Sequence, residues 1–453
     1  MTKDLTKGSP TKLILGFALP LLAGMLFQQM YNLVDAVIVG RFLGVKALAG
    51  VGATGSVNFL VLGFGMGICS GFAIPVAQYF GAKEESRMRS AAANGLMLAG
   101  VFAAVLTAFT VIFCRSILTS IDTPADCFEE AYAYIVVVFA GTPFIFLYNL
   151  LSSYLRSLGD SRTPLLFLLL SSALNIALDL LFIVTFHMGV IGASLATVIS
   201  QGISGLLCLL FIVKRVQILH ITRDEWRISR KAMNELCHYG IPMGFQYSIT
   251  AVGCVVLQAA INGMGATAVA AVAAASKVMG FLQCPFEALG ATMATYGAQN
   301  VGAKRYERLD RGVIAASAMG FVYSALAFAV AVFLGDHLVG LFVSKEGSAE
   351  MIGMAHVYMK TTAITYPLLT LVNVVRLTIQ GMGFSVIAVI AGVLEMVARA
   401  LAGVWLVPVW GIVGAGLGSP LAWVFADLFL IPTYFRCKRL VMGKVHHMNA
   451  QQS

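Results

Sequence analysis

Twelve apolar stretches, each near the length of about 20 residues that an α-helix needs to cross a bilayer, follow one another along the 453-residue chain. They fall at 13–38, 52–79, 91–113, 131–153, 164–186, 190–213, 236–262, 270–298, 312–334, 355–380, 385–407 and 412–435, and they leave no stretch for a soluble domain. With 59% of residues hydrophobic and 11% charged, a water-soluble fold has too little polar surface to cover its core. The expected class is therefore an all-α integral membrane protein. Lys3, Lys7 and Lys12 lead straight into the first stretch, which has no small-residue cleavage site and is expected to be a span rather than a signal peptide.

Basic residues accumulate on cytoplasmic loops, so their placement tests the span count independently of hydropathy. With the N-terminus inside, 22 of the 30 lysines and arginines fall on inner segments, whereas the outer segments hold Arg41, Lys46, Arg115 and Lys345. Both termini are expected to be cytoplasmic and the protein to lie in the cell's inner (plasma) membrane. The net charge of +9 follows from this bias and points to topology and anionic lipid rather than to nucleic acid. Eight scattered cysteines form no CxxC pattern, which argues against a structural metal site. Cys114 and Cys127 share one predicted outer loop, where free thiols are the expectation and a disulfide the alternative.

The second half of the sequence repeats the first at a displacement of 221 to 224 residues. Pro20 aligns with Pro242, Gln78 and Gly81-Ala82-Lys83 with Gln299 and Gly302-Ala303-Lys304, and Tyr134, Pro143, Asn149 and Gly159 with Tyr358, Pro367, Asn373 and Gly383. Each repeat contains six spans, an even number, so both halves enter the membrane in the same orientation. Two parallel six-helix bundles related by pseudo-twofold symmetry are expected: residues 1–213, a basic cytoplasmic linker 214–234, and residues 235–453.

Ionisable residues inside spans are costly unless paired, hydrated or used. Asn175 and Asp179 are four residues apart, on one helical face. The fifth and sixth spans turn near Met188, which puts Asp179 and Thr197 at similar depth, roughly 13 Å below the outer end; Asp35 lies roughly 9 Å below the same surface. Two carboxylates, an amide oxygen and a hydroxyl in one slab suit a hard cation such as sodium. Two close carboxylates in a poorly solvated place also cannot both ionise cheaply, so the same pair can hold a proton. Hydrogen bonding between helices is the plainer role for such side chains.

The repeat places Leu257 and Gly403 near the positions equivalent to Asp35 and Asp179, so the carboxylates belong to one half only. Arg399 replaces Asn175, and Glu395, one turn earlier, suits an ion pair with it or a place on a substrate cavity. Glu287 sits near mid-span without an opposite charge at helical spacing, as a cavity group or a helix contact. Asp427 and Arg376 read as span-end residues able to snorkel.

Several strings together resemble the multidrug and toxic compound extrusion (MATE) transporters over essentially the full length. They are Ala18-Leu19-Pro20; Tyr31-Asn32-Leu33-Val34-Asp35 with Gly40; Gln78 with Gly81-Ala82-Lys83; Arg156-Ser157-Leu158-Gly159-Asp160 with Thr163-Pro164; Asn175-Ile176-Ala177-Leu178-Asp179; and Gly192-Ala193 with Ala196-Thr197. The resemblance implies alternating access driven by a proton or sodium gradient, with the cation held at Asp35, Asn175, Asp179 and Thr197 and first-helix bending at Pro20. It implies export of organic, multidrug-type solutes, with no cofactor beyond the coupling ion. Small organic substrates and membrane lipid are the expected partners, and the chain is expected to work as a monomer. The seventh and tenth spans lack the carboxylates that one branch of the family places there, so the resemblance extends no cation site to the C-terminal bundle. A flippase for lipid-linked sugars is the nearest alternative and would favour basic cavity residues. A membrane-embedded enzyme would need a nucleophile or metal cluster at the membrane surface, and neither motif occurs.

Single cysteines placed in the 214–234 linker of a cysteine-free background are expected to react with impermeant thiol reagents only from the cytoplasmic side. Labelling from outside would reverse the topology and with it the depths of Asp35 and Asp179.

Overall fold

The computed structural model describes residues 3–121, 123–342 and 349–450, and for 444–450 the backbone alone. Lys345, assigned above to an outer segment, lies outside the described residues. Among the described residues ten helices are long and apolar enough to cross a membrane, and two bent pairs, each counted as one span, bring the total to twelve. This is an all-α, multi-pass membrane protein.

In the first half the helices are α1 (Pro10–Leu43), α2 (Val45–Ala53), α3 (Gly55–Ala82), α4 (Glu85–Ile112), α5 (Cys114–Ser120), α6 (Phe128–Ala140), α7 (Thr142–Ser157), α8 (Arg162–Asp179) and α9 (Gly189–Arg215). The second half runs through α10 (Arg230–Asn262), α11 (Ala266–Gly302), α12 (Glu307–Phe333), α13 (Gly335–Gly340), α14 (Ala349–Ala363), α15 (Tyr366–Gly381), α16 (Ser385–Leu401), α17 (Val407–Trp410) and α18 (Ile412–Ala450). Cys114 and Cys127 are both free thiols.

The fourth and tenth spans differ from the continuous helices that hydropathy predicts. Helices α6 and α7 bend by 51° and α14 and α15 by 50°, each next to a proline, Pro143 or Pro367, in the first turn of the second helix. Proline is tolerated in a first turn, where its missing N–H would lack an intrahelical partner anyway. Hydropathy averages over such a break and so cannot register it.

The sequence repeat is written into the backbone. Positive φ recurs in pairs at the repeat displacement: Gly44 and Gly265, Lys83 and Lys304, Gly159 and Gly383, Gly189 and Gly411. Lys83 and Lys304 adopt the left-handed conformation despite carrying side chains, at φ 61° and 57°. A π-helical turn follows α8 at Leu180–Thr185, and its counterpart follows α16 at Ala402–Leu406.

Two compact units emerge, and they do not follow the repeat boundary. One comprises residues 1–4 and 23–248, the other 5–22 and 249–453. The first part of α1 is thus grouped with the second half of the chain, and the first part of α10 with the first half. Side-chain capture of the lead-in peptides accompanies this grouping. In the second unit the Leu5 amide donates to Gln299 Oε1 at 2.9 Å, Arg305 donates to the Thr6 carbonyl at 2.9 Å, and Arg308 donates to the Gly8 carbonyl at 2.9 Å and Asn300 Oδ1 at 3.0 Å. In the first unit Arg89 Nε donates to both oxygens of Glu225 at 2.9 Å, and the buried Asn94 Oδ1 accepts from the Ser229 amide at 3.0 Å. Burial alone would raise the Glu225 carboxyl, but the Thr222 amide and Arg89 outweigh it and hold Glu225 below the usual carboxylate range.

Small residues set the closest helix approaches, as expected where lipid supplies no hydrophobic contrast between helices. A Cβ on Gly71 of α3 would lie 2.5 Å from the Gly240 Cα on α10, whereas one on Gly63 would meet the Tyr247 Cβ at an ordinary 3.6 Å. Gly71→Ala is expected to destabilise the protein by about 1–3 kcal/mol through overpacking. Gly63→Ala is expected to be neutral or stabilising by about 0.5–1 kcal/mol, because alanine suits a helix interior better. Thermal unfolding of the detergent-purified variants checks the order, and equal Tm values would contradict this packing.

Candidate cation site

The first unit gathers the predicted residues at one place. Asp179 ends α8, where the π-helical turn begins, and Asn175 lies one turn earlier on the same face. A π turn carries an extra residue within the helical path, and such turns concentrate at functional positions. Asn175 Nδ2 donates to Thr197 Oγ1 of α9 at 3.3 Å, and the Thr197 hydroxyl donates to the Ala193 carbonyl at 3.1 Å. The amide is therefore oriented, and its oxygen is left as an acceptor.

Asp35 of α1 brings its carboxyl close enough to Asp179 for the two groups to act on each other electrostatically. Asp179 is fully buried at 0% exposure and Asn175 at 2%, while Asp35 and Thr197 are partly buried. Both oxygens of Asp179, Oδ1 of Asp35 and Oδ1 of Asn175 are buried with no hydrogen-bond partner. Ile38, Val39, Tyr134, Ile183 and Ala193 belong to the apolar core around them. An orphaned buried acceptor is rare in folded proteins because its lost hydration is not replaced. Four in one place fit a ligand that supplies positive charge: a proton shared between the carboxyl groups, or a small hard cation bound by oxygen.

Tyr31 and Tyr134 lie close enough to both carboxylates to feel their charge. Sequence reasoning missed both as site residues. Tyr31 carried a usable signal, one turn before Asp35 on the same helix; Tyr134 carried none, since it reaches the site from α6 through tertiary packing.

The remaining candidates separate. Pro20 lies inside a continuous α1, just before the Leu22/Ala23 junction where the helix passes between units. Glu287 is exposed on α11. Glu395 and Arg399 are buried at 3% and 5% in the second unit, with Arg399 Nη2 3.4 Å from Glu395 Oε2. Arg376 of α15, expected to snorkel at a span end, is instead 6% exposed and pairs with the other oxygen of Glu395. Asp427 of α18 is likewise buried, at 4%, against the same expectation. Position along a span indicates depth but not which side of the helix faces protein, and that side decides burial.

The family model for MatE matches residues 20–181 and again 242–405, once in each half of the chain. Curated relatives include "Probable multidrug resistance protein YpnP" of Bacillus subtilis, 28% identical across 96% of this chain and 98% of its own, and "Probable multidrug resistance protein YoeA" of the same organism, 27% identical across 84% of each. A solved structure described as the outward-facing conformation of a multidrug resistance MATE family transporter of the MOP superfamily superposes with a TM-score of 0.91, at 22% identity, covering 97% of this chain and 99% of that one. The chain belongs to the MatE family of multidrug and toxic compound extrusion transporters. The first match contains Asp35, Asn175 and Asp179; Thr197 and Asp427 lie beyond the two matched segments.

Because Asp179 has no counter-charge to lose, Asp179→Asn is expected to leave the detergent-purified protein at least as thermally stable as the parent. Asn175→Ala removes the donor to Thr197 and should lower Tm instead. A clear loss of stability in Asp179→Asn would mean that its carboxylate is a structural partner.

Proposed function

We propose that this transporter exports organic solutes, lipophilic organic cations foremost, by antiport against protons or sodium ions that bind at Asp35 and Asp179. The observation that carries the reading is the group of buried, unpartnered oxygens on Asp35, Asn175 and Asp179, with the Asn175 amide oriented by Thr197. The names of the B. subtilis relatives support the solute class. The bias of basic residues supports a plasma-membrane protein with both termini cytoplasmic. Transport of this kind needs no covalent chemistry, cofactor or nucleic-acid partner; the small organic solute and the surrounding lipid are its partners, and one chain is the working unit.

Antiport requires that the driving cation and the solute favour different states, because a ligand shifts a conformational equilibrium only through its differential affinity. Ionised carboxylates attract an organic cation, and the same carboxylates once neutralised by a proton or sodium do not. Competition follows from charge without a further moving part. Sodium at this place would take oxygens from Asp35, Asp179 and Asn175, whereas a proton needs only the two carboxyl groups.

In inside-out vesicles with an imposed gradient, Asp35→Asn and Asp179→Asn are each expected to abolish solute accumulation while the protein inserts normally. Collapsing the proton and sodium gradients separately identifies the coupling ion, and export at the parental rate by either variant would refute the assignment. Binding of a fluorescent lipophilic cation to the purified protein is expected to strengthen from about pH 5 to about pH 9, as loss of protons leaves the carboxylates charged. Asp35→Asn should flatten that dependence. A pH-independent affinity, or the same dependence in the variant, would exclude electrostatic competition.

A further inference from the structure

In the second unit, α15, α16 and α18 pack together and bury four ionisable side chains: Arg376, Glu395, Arg399 and Asp427. All four ionised would sum to zero, but the charges are unevenly shared. Glu395 is held from both sides, Oε1 by Arg376 and Oε2 by Arg399 at 3.4 Å. Both oxygens of Asp427 are buried with no hydrogen-bond partner, although the residue is close enough to Arg376 to feel its charge. A buried carboxylate with no hydrogen bond carries a desolvation penalty of several kcal/mol, which protonation removes.

We propose that Asp427 is a second exchangeable-proton site, confined to the second unit, in which Arg376 alternates between Glu395 and Asp427 as the proton is gained and lost. Protonation takes a proton from hydronium and leaves water; deprotonation returns it to water. With the proton on Asp427, Arg376 stays on Glu395. Once Asp427 is ionised it competes for Arg376, and Arg399 remains to compensate Glu395. The second guanidinium makes the exchange feasible, because neither carboxylate is then left alone in the bundle. One proton is thus linked to whether α15 is tied to α16 or to α18.

A metal cation does not suit this cluster. It would find the oxygens of one free carboxylate near the Arg376 guanidinium, which repels it, whereas a proton needs no coordination shell. Among the neighbours of α18, Arg376 on α15 is the charged group that acts on Asp427, and Glu395 and Arg399 on α16 act through it. On α14, Tyr358 is buried, Lys360 is exposed, and His356 pairs with Asp336 at 2.7 Å. At the repeat displacement of 224 the first half holds Ser152, Ser171, Asn175 and Ile203 at the equivalent positions, all uncharged. The Asp35–Asp179 site of the first unit has carboxylates without arginine, and this cluster of the second unit has carboxylates with arginine.

Infrared spectroscopy of the purified protein tests this without any transport assay. In an Asp35→Asn/Asp179→Asn background, which removes the first-unit site, a protonated carboxylic-acid C=O band is expected near neutral pH. That band should fade as pH is raised and be absent after the further change Asp427→Asn, an isosteric neutral substitution that mimics the protonated acid. Adding Glu395→Gln to the same background frees Arg376, so Asp427 should ionise and the band should be absent near neutral pH although Asp427 is present. A band that survives Asp427→Asn, or no band in the background down to about pH 5, overturns the site. A band unchanged by Glu395→Gln overturns the arginine exchange. Because the background lacks Asp35 and Asp179, neither failure bears on the reading of the first-unit site.

Discussion

Inside a membrane bundle a polar atom must find its partner in the protein, because the surrounding hydrocarbon offers none. Most of this chain obeys that constraint locally. Thr110, Ser172, Thr292, Ser324 and Thr378 each donate to the carbonyl one turn back, and Asn149 and its repeat partner Asn373 do the same. Among the buried oxygens left without a partner, those of Asp35, Asn175 and Asp179 lie together in the first unit. Among the described residues no basic side chain is recorded paired with them: the core around them is aliphatic and aromatic, and their polar neighbours are Thr197 and the phenols of Tyr31 and Tyr134. Positive charge at this place has to come from outside the chain. Transport coupling is the use of such a site that agrees with a two-repeat membrane transporter.

The two units solve the same problem in opposite ways. In the second unit the chain supplies its own positive charge through Arg376 and Arg399, and Glu395 is satisfied as a result. A paired charge adds little net stability in a bundle but is costly to break without a replacement partner, so α15 is tied to α16 while Glu395 holds Arg376. The repeat therefore preserves the scaffold, down to paired positive-φ residues and paired π turns, while the ionisable groups diverged.

Much of this was readable in the sequence because the signals are long or redundant. Twelve spans follow from hydropathy over whole helices, and the repeat follows from matches spread along both halves. Asp35, Asn175, Asp179 and Thr197 could be placed together because helix rise and one turn at Met188 fix their depth. The hidden parts depend on contacts between distant residues. Pro143 and Pro367 were visible, but not that they mark bends of 51° and 50°. The capture of residues 5–8 by Gln299, Arg305 and Arg308 has no local signature. Arg376 and Asp427 looked like span-end residues because sequence gives distance along a helix, and only the packed structure gives the face.

The central claim is that solute and coupling ion compete for the same two carboxylates, and ion release on solute binding measures it directly. A lipophilic organic cation is added to purified protein in weakly buffered solution, and proton uptake or release is followed with a pH indicator, first without sodium and then with it. The account predicts release of protons from the parent, or of sodium if that is the coupling ion, and none from the Asp35→Asn/Asp179→Asn protein. Solute binding by the parent with no release of either ion would contradict it.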